Sequence, residues 1–477
     1  MTINPFIFRM YDIRGIVDED LDAAKVEAIG RAYGTLLRGR DIKTAVAGRD
    51  CRLSGEEYQT AFMKGLASTG VDIINVGQVM TQMVYYGQYR FQTKGAVMVT
   101  ASHNPSNFNG FKLGIDYSLT TGPNEVREIK RTIENESYFV AEEPGKIIGD
   151  SLAEDYYNDL FSRIKFDKKF KIVVDYRHGT PGMYVPEILK RAGCEVINIK
   201  SNPDGSFPAG TPDPTDRRFI SGLANIVMEE KADLGLAFDA DGDRIGTVDE
   251  RGNILWNDVL VAIFAQEILG KKPEAKIIYN TLCSQVVPWV INKNGGQPIM
   301  WRTGHSFIKA KMAEEKAAYG GELSGHFFFS DDAYGYDDGS YAALRLLRYL
   351  ANQNLSLSQL YESFPKYISS PEIKIGCPDD KKTQVIQDLS QRFKADFPEA
   401  KITDDTIIPG DDGTRADFED GMMIFRYSQN GPYITVKFEA KDQETYEKRK
   451  KYTKKILESY PEMIWQDQLC VNLDSLD

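Results

Sequence analysis

The sequence predicts an α/β protein of several domains, and three observations carry that expectation. Short apolar runs bounded by turn residues alternate with longer helical patterns through most of the chain. Most of those runs lead directly into loops of unusual polar chemistry. The chain has 477 residues, more than one core holds, and at roughly 150 residues per domain three or four domains are expected.

The elements follow in chain order. Residues 44–47, 96–99, 171–174, 234–238 and 276–279 read as buried strands, because each is a short apolar run closed by polar residues. Helical patterns at 23–37, 55–68 and 181–191 lie between them. The loops that follow the strands are G-R-D-C-R-L-S (48–54), T-A-S-H-N-P (100–105), D-Y-R-H-G-T (175–180) and D-A-D-G-D-R (239–244). In open α/β sheets, ligands gather beyond the carboxyl ends of strands. Composition marks the joints. The stretch 142–152, E-E-P-G-K-I-I-G-D-S-L, is polar with Pro and Gly; D-E-R-G-N at 249–253 closes the next unit; Y-I-S-S-P at 367–371 reads as a linker. The expected domains are therefore 1–150, 151–254, 255–367 and 368–477. The last differs in pattern: it alternates in F-E-D-G-M-M-I-F-R and P-Y-I-T-V-K-F-E-A and ends in a helix over 443–459, so a small α+β domain is expected. The basic run in that helix reads as a solvated face.

Composition excludes several classes. Hydrophobic residues at 42% and charged residues at 27% describe an ordinary globular protein. A net charge of −12 argues against a nucleic-acid or membrane-surface partner, so any anionic ligand must meet locally concentrated positive charge. The N-terminus has no basic segment followed by an apolar run, and no apolar stretch reaches the ~20 residues of a membrane span. The five cysteines (Cys51, Cys194, Cys283, Cys377, Cys470) are scattered, which fits reduced thiols in a cytoplasm.

The densest chemistry is F-D-A-D-G-D-R. Asp239, Asp241 and Asp243 repel one another unless a positive group lies among them, and a hard divalent cation, Mg²⁺ or Ca²⁺, is the usual answer. An EF-hand is excluded, because its required sixth-position glycine is Arg244 and the flanks read as strands. An aspartyl phosphatase would follow D-x-D with Thr or Ser rather than Asp243. Ser102 opens a loop dense in hydroxyls and amides that closes on Lys112. A hydrolase triad lacks its G-x-S-x-G context here. A serine that carries a phosphoryl group beside a cation needs no such triad, since charge stabilisation does the work.

These motifs resemble the α-D-phosphohexomutase superfamily, most closely its phosphomannomutase/phosphoglucomutase group. The matching stretches are F-R-M-Y-D-I-R-G (8–15), T-A-S-H-N-P, D-A-D-G-D-R, G-E-L-S-G-H (321–326) and R-Y-S-Q-N-G-P (426–432), with V-A-G-R-D-C-R-L-S, P-D-G-S-F-P and W-R-T-G-H-S-F-I-K between them, all in the family's order. The resemblance implies four domains around a central cleft, the first three α/β with mixed sheets and the last a smaller α+β domain. It implies reversible conversion of a hexose 1-phosphate, mannose or glucose, to the 6-phosphate through a bisphosphorylated sugar. Ser102 would carry the phosphoryl group, and Asp239, Asp241, Asp243 and the phosphorylated Ser102 would hold Mg²⁺. Arg14, Lys112 and Arg244 would line the reacting centre, with Lys112 and His326 transferring protons. Tyr11, His305, Glu322 and Ser324 would meet the sugar, and Arg426, Ser428, Gln429 and Asn430 its other phosphate. Hexose 1,6-bisphosphate would serve as activator and intermediate. The partners would be sugar phosphates, with no nucleic acid or membrane, and the chain a monomer or small homo-oligomer. Gln429 and Asn430 depart from the family's usual final loop, and Leu282 and Arg302 stand where dual-specificity relatives often carry lysine. Alternatives are a phosphoglucosamine mutase and a non-catalytic sugar-phosphate binder; intact Ser102 and all three aspartates oppose the second.

Overall fold

A computed structural model of the protein describes residues 3–477, and its strands form four sheets. In the first, Thr44–Arg49 lies parallel to both Asp72–Gln78 and Gly95–Val99, and Phe108–Asp116 runs antiparallel to Gly95–Val99 and to Ile13–Ile16. Every residue of Gly95–Val99 is buried, as expected of a central strand whose two faces are both covered. The helices Ala23–Gly39 and Gly55–Ala67 supply one of those layers, packing Ile29, Tyr33, Phe62 and Leu66 into the core with Val97, Val99 and Phe111.

The second sheet has five strands in the order Ile254–Leu255, Ile245–Asp249, Leu234–Phe238, Lys171–Asp175, Glu195–Ile199. The third sets Lys276–Asn280 parallel to Gln297–Trp301 and Tyr319–Gly321, with Phe327–Phe329 antiparallel at its end. The fourth is antiparallel throughout: Lys401–Thr403, Gly413–Phe418, Gly421–Tyr427 and Tyr433–Ala440 follow in order, and Ile368–Ser369 and Ile373–Gly376 both pair with the last of these. The helices Lys382–Asp396 and Gln443–Glu458 pack on it, so the expected α+β character of this region holds. Contacts group the chain into two compact units. One comprises Met1–Asp213, Leu236–Ile245 and Asp332–Arg348; the other comprises Pro214–Gly235, Gly246–Asp331 and Tyr349–Asp477.

Three local expectations differ from the structure. The helix expected at 181–191 is a 3-10 turn, Thr180–Met183, followed by Val185–Arg191, because Pro181 and Pro186 remove backbone donors and each restarts the helix. The polar joint 142–152 contains a parallel edge strand, Ile147–Gly149, beside Asp72–Gln78, too short to show an alternating pattern. The linker 367–371 contributes Ile368–Ser369 to the last sheet.

Beyond that joint, the third and fourth sheets of the second unit are clasped by buried polar groups. Arg415 donates through Nη1 to the carbonyls of Thr281 and Cys283, both at 2.6 Å, while Gln285 Nε2 donates to those of Phe418 and Gly421, both at 2.8 Å. Lys437 forms a fully buried ion pair with Asp258. Breaking one side of such a pair leaves an uncompensated buried charge. Lys437→Met is therefore expected to lower unfolding stability by about 3–5 kcal/mol in a denaturant titration, and Asp258→Asn in the same chain to recover much of it. Simple addition of the two losses would contradict the pairing.

Candidate active site

Ser102 is fully buried at the carboxyl end of Gly95–Val99, and its backbone is left-handed, with φ 50°. A non-glycine residue seldom adopts that conformation unless its surroundings impose it. Here they do. Its N–H donates to Thr100 Oγ1 at 2.8 Å, and its carbonyl accepts from Arg52 Nη2 at 2.7 Å. The resulting turn aims Oγ at Asp239, to whose Oδ2 it donates at 2.9 Å. The neighbouring strand depends on Gly110: a Cβ there would fall 2.1 Å from the carbonyl of Ile13, so only glycine lets Ile13–Ile16 close up. That pairing carries Arg14 to the loop, where Nη1 donates to the carbonyl of Ala101 (3.2 Å) and to Asn104 Oδ1 (3.0 Å) and Nε donates to Asp12 (2.8 Å). Tyr11, also buried, accepts at its carbonyl from Thr121.

Asp239, Asp241 and Asp243 follow Leu234–Phe238, all three fully buried, each offering a carboxylate oxygen within 4.8 Å of the others'. Gly242, at φ 83°, turns the chain so that the N–H groups of Gly242 and Arg244 donate to Asp239 Oδ1. Lys112 Nζ lies 2.8 Å from Asp241 Oδ2 and also pairs with Asp243. Thr81 Oγ1 donates to Asp241 at 2.6 Å, and Arg244 Nε lies 3.7 Å from Asp239. Burial, then the charges of Asp241 and Asp243, push the carboxyl of Asp239 well above the carboxylate range. Burial raises Asp241 too, but the Lys112 ammonium outweighs it and holds Asp241 low. Burial opposes the charge on Lys112, yet Asp241 and Asp243 hold its ammonium firmly protonated. Three carboxylates facing Lys112 thus leave a surplus of negative charge, and this surplus is what opposes ionisation of Asp239. Asp241 Oδ1 is buried and accepts no hydrogen bond. An oxygen-only donor set with an unpartnered carboxylate oxygen fits a hard divalent cation.

In the second unit, three loops leave the carboxyl ends of the parallel strands of the third sheet and meet at Asn280. Its Nδ2 donates to Thr303 Oγ1 at 3.1 Å, and its Oδ1 accepts from the N–H of Leu323 (3.1 Å) and from Cys283 Sγ (3.0 Å). Glu322 Oε1 accepts from the N–H of Gly304 at 2.7 Å. His305 and His326 lie with ring centroids 5.6 Å apart, and Ser324 is half-buried on the same loop as Glu322. In the fourth sheet, Arg426 stands opposite Gly413 and forks onto Asp412, with Nε to Oδ1 at 2.9 Å and Nη2 to Oδ2; Gln429 Nε2 donates to the same carboxylate at 2.6 Å. Ser428 Oγ accepts from the N–H of Asn430 at 3.1 Å, and Lys382 Nζ pins the loop by donating to the carbonyls of Ser428 and Gly431. Arg302 donates to the carbonyl of Gly410 at 3.2 Å, so the W-R-T-G-H loop borders the segment that carries Asp412.

The structure thus gathers Ser102, Lys112, Arg14, Arg244 and the three aspartates in one unit. Glu322, Ser324, His305 and His326 form one group in the other, and Arg426, Ser428, Gln429 and Asn430 a second group there. Sequence reasoning missed Asp50, Arg52, Thr81, Thr100 and Asn280, which hold these groups in place, and Asp337, whose charge acts on Lys112. Position after a strand was a signal for Asp50, Arg52, Thr100 and Asn280; nothing local marked Thr81 and Asp337.

The chain is similar to known proteins over most of its length. The phosphoglucomutase/phosphomannomutase family matches in three α/β/α domains: domain I over residues 5–139, domain II over 154–252 and domain III over 256–367. A phosphomannomutase/phosphoglucomutase of Pseudomonas syringae is 37% identical over 442 residues, 93% of each chain. A phosphoglucomutase of Neisseria meningitidis is 35% identical, covering 96% of this chain and 98% of that one. The solved structure of a phosphoglucomutase/phosphomannomutase family protein from Burkholderia thailandensis superposes with a TM-score of 0.85 at 32% identity, over 96% of this chain and 98% of that one. Shared motifs, matching fold and near full-length similarity together place this chain in the phosphoglucomutase/phosphomannomutase family of the α-D-phosphohexomutase superfamily.

Proposed function

We propose that the protein interconverts hexose 1-phosphates and hexose 6-phosphates, of glucose, mannose or both, by way of a phosphoserine at Ser102 and a hexose 1,6-bisphosphate. One observation carries this reading: Ser102 is held left-handed with its Oγ on the first carboxylate of a cation-type triad. A hydroxyl so placed need not be a strong nucleophile: as a phosphoryl carrier it needs only charge stabilisation and alignment. Mg²⁺ is the proposed ion, held by Asp239, Asp241 and Asp243. When bound, it supplies the positive charge that the carboxylates lack and that phosphate oxygens require.

In the forward half-reaction, a P–O bond forms to the free sugar hydroxyl as the bond to Ser102 Oγ breaks. The hydroxyl's proton passes to a base, and the serine oxygen gains one. Lys112, which carries its proton, would be the donor, and His326 the acceptor. The bisphosphate then presents its other phosphate, and the steps reverse onto Ser102. Arg14 and Arg244 contribute fixed positive charge, while Glu322 and Ser324 accept sugar hydroxyls, with His305 and Tyr11 alongside. Arg426, Ser428, Gln429 and Asn430 would receive the non-reacting phosphate, where the Arg426 fork is already oriented by Asp412. Domains at 1–150, 151–254, 255–367 and 368–477 would carry these parts, in a cytoplasmic enzyme, monomeric or a small homo-oligomer. No helix among the described residues is long and apolar enough to cross a membrane.

Purified protein is expected to carry phosphate on Ser102 in peptide mass mapping, and Ser102→Ala to lose most of its mutase activity. Phosphate on Asp239 instead, labile to hydroxylamine, would move the chemistry to the aspartyl-phosphate class.

Turnover is expected to vanish with chelator and return with Mg²⁺. Asp241→Asn, which removes one charged ligand, should raise the Mg²⁺ concentration for half-maximal rate at least about 10-fold in a metal titration. Full activity in excess chelator would refute the ion's role.

Glu322 and Ser324 read hydroxyls that glucose and mannose share in configuration, so both should be substrates, with kcat/KM values within ~100-fold, about 2.7 kcal/mol. Galactose 1-phosphate should be poor. A coupled assay that finds a far larger preference for one epimer, or glucosamine phosphate best of all, would contradict this assignment.

A further inference from the structure

We propose that Arg52 is a positioning residue for the phosphoryl transfer, the clamp that keeps Ser102 in its left-handed conformation; this rests on the reading of Ser102 as the phosphoryl carrier. A guanidinium presents five N–H donors in one plane. In Arg52 all five are engaged. Nε donates to Asp50 Oδ2 at 3.2 Å, Nη1 to the carbonyls of Pro105 (2.7 Å) and Phe108 (2.8 Å), and Nη2 to those of Ser102 and Asn104, both at 2.7 Å. Four of the five acceptors are carbonyls of a single seven-residue stretch, 102–108, so one rigid group sets the orientation of four peptide planes. The side chain is wholly buried, and the ring of Phe207 covers it, with the guanidinium carbon 5.2 Å from the ring centroid.

The clamp closes through Asp50. Its Oδ1 accepts from the N–H of Arg52 at 2.9 Å, and its Oδ2 accepts both from Arg52 Nε and from Thr100 Oγ1 at 2.7 Å. Thr100 Oγ1 in turn accepts from the N–H of Ser102. Both peptide groups of Ser102 are therefore tied to one buried ion pair, the carbonyl directly and the N–H through Thr100. Cys51, between the two charged residues, is fixed from another segment, its N–H donating to Thr180 Oγ1 at 2.9 Å. A serine released from this frame relaxes to negative φ, which turns Oγ away from Asp239. Arg52 touches neither the sugar nor the phosphoryl group and acts only through the serine's geometry. Lysine cannot replace it: three donors on a flexible stem leave buried carbonyls unpaired and set no plane.

A merely structural arginine would cost stability and leave turnover per folded molecule intact. The test is therefore made on the full chain with Arg52→Lys and Arg52→Ala. Four quantities are read: the thermal midpoint, kcat and KM for glucose 1-phosphate, and the rate at which dephosphorylated protein takes phosphate onto the Ser102 peptide from glucose 1,6-bisphosphate. For folded Arg52→Lys, kcat should fall about 100-fold with KM within about 3-fold, and Ser102 loading should slow in parallel. Guanidinium ion added to Arg52→Ala should restore kcat at least about 10-fold. A kcat within about 3-fold of wild type, or a loss that only tracks the unfolded fraction, overturns the proposal. Asp50→Asn, which keeps the shape but removes the charge that orients the guanidinium, guards against misfolding of the arginine variants; it too should lower kcat with little change in KM, and wild-type kcat there also overturns the proposal. Wild-type protein that never loads phosphate on Ser102 would sink the phosphoserine reading itself, whereas normal loading in Arg52→Lys sinks only the clamp.

Discussion

Everything in the first unit's site answers to one constraint: three carboxylates buried side by side at the end of a strand. Each loses hydration, and each raises the cost of ionising the others. The structure meets this with Lys112 on Asp241 and Asp243 and with backbone N–H groups on Asp239, whose carboxyl is nonetheless pushed well above the carboxylate range. A divalent cation relieves the same surplus more completely, and a phosphoryl group on Ser102 would bring oxygens to a place already built for positive charge. The acidic cluster, the buried lysine and the strained serine are thus parts of one electrostatic arrangement.

The second unit solves a different problem, presenting polar groups on loops that hydrogen bonds tie to one another. Asn280 gathers three loops by satisfying two backbone or hydroxyl partners and a thiol, which leaves Glu322, Ser324 and the two histidines on loops anchored by the ends of parallel strands. Arg426 is oriented before any ligand arrives, because Asp412 holds two of its nitrogens and also takes Gln429. A phosphate bound at that fork, as proposed, would meet a guanidinium whose rotamer is already fixed, though shared with a carboxylate.

Much of this was legible in the chain. Period and turn chemistry placed the strands at 44–49, 95–99, 171–175, 234–238 and 276–280 within one or two residues, because buried strands with both faces covered read as uninterrupted apolar runs. The chemistry-bearing loops were legible for the same reason: they begin where those runs stop. What was not legible is what holds the loops. Arg52 and Asp50 stand in a quoted motif, but nothing in G-R-D-C-R-L-S says that its guanidinium reaches four carbonyls fifty or more positions away. The left-handed Ser102 was likewise hidden, since serine carries no local mark of positive φ as glycine does. The short edge strand Ile147–Gly149 and the paired Ile368–Ser369 read as joints because two or three residues show no period.

In the mechanism proposed above, Ser102 passes a phosphoryl group to the sugar and takes one back in every cycle. Rapid-quench mixing of protein labelled at phospho-Ser102 with unlabelled glucose 1-phosphate is the direct test. Label is expected to leave the serine at least as fast as kcat, to appear first in glucose 1,6-bisphosphate and then in glucose 6-phosphate, while the serine takes up unlabelled phosphate. Label that stays on Ser102 while product accumulates at the full rate would contradict it.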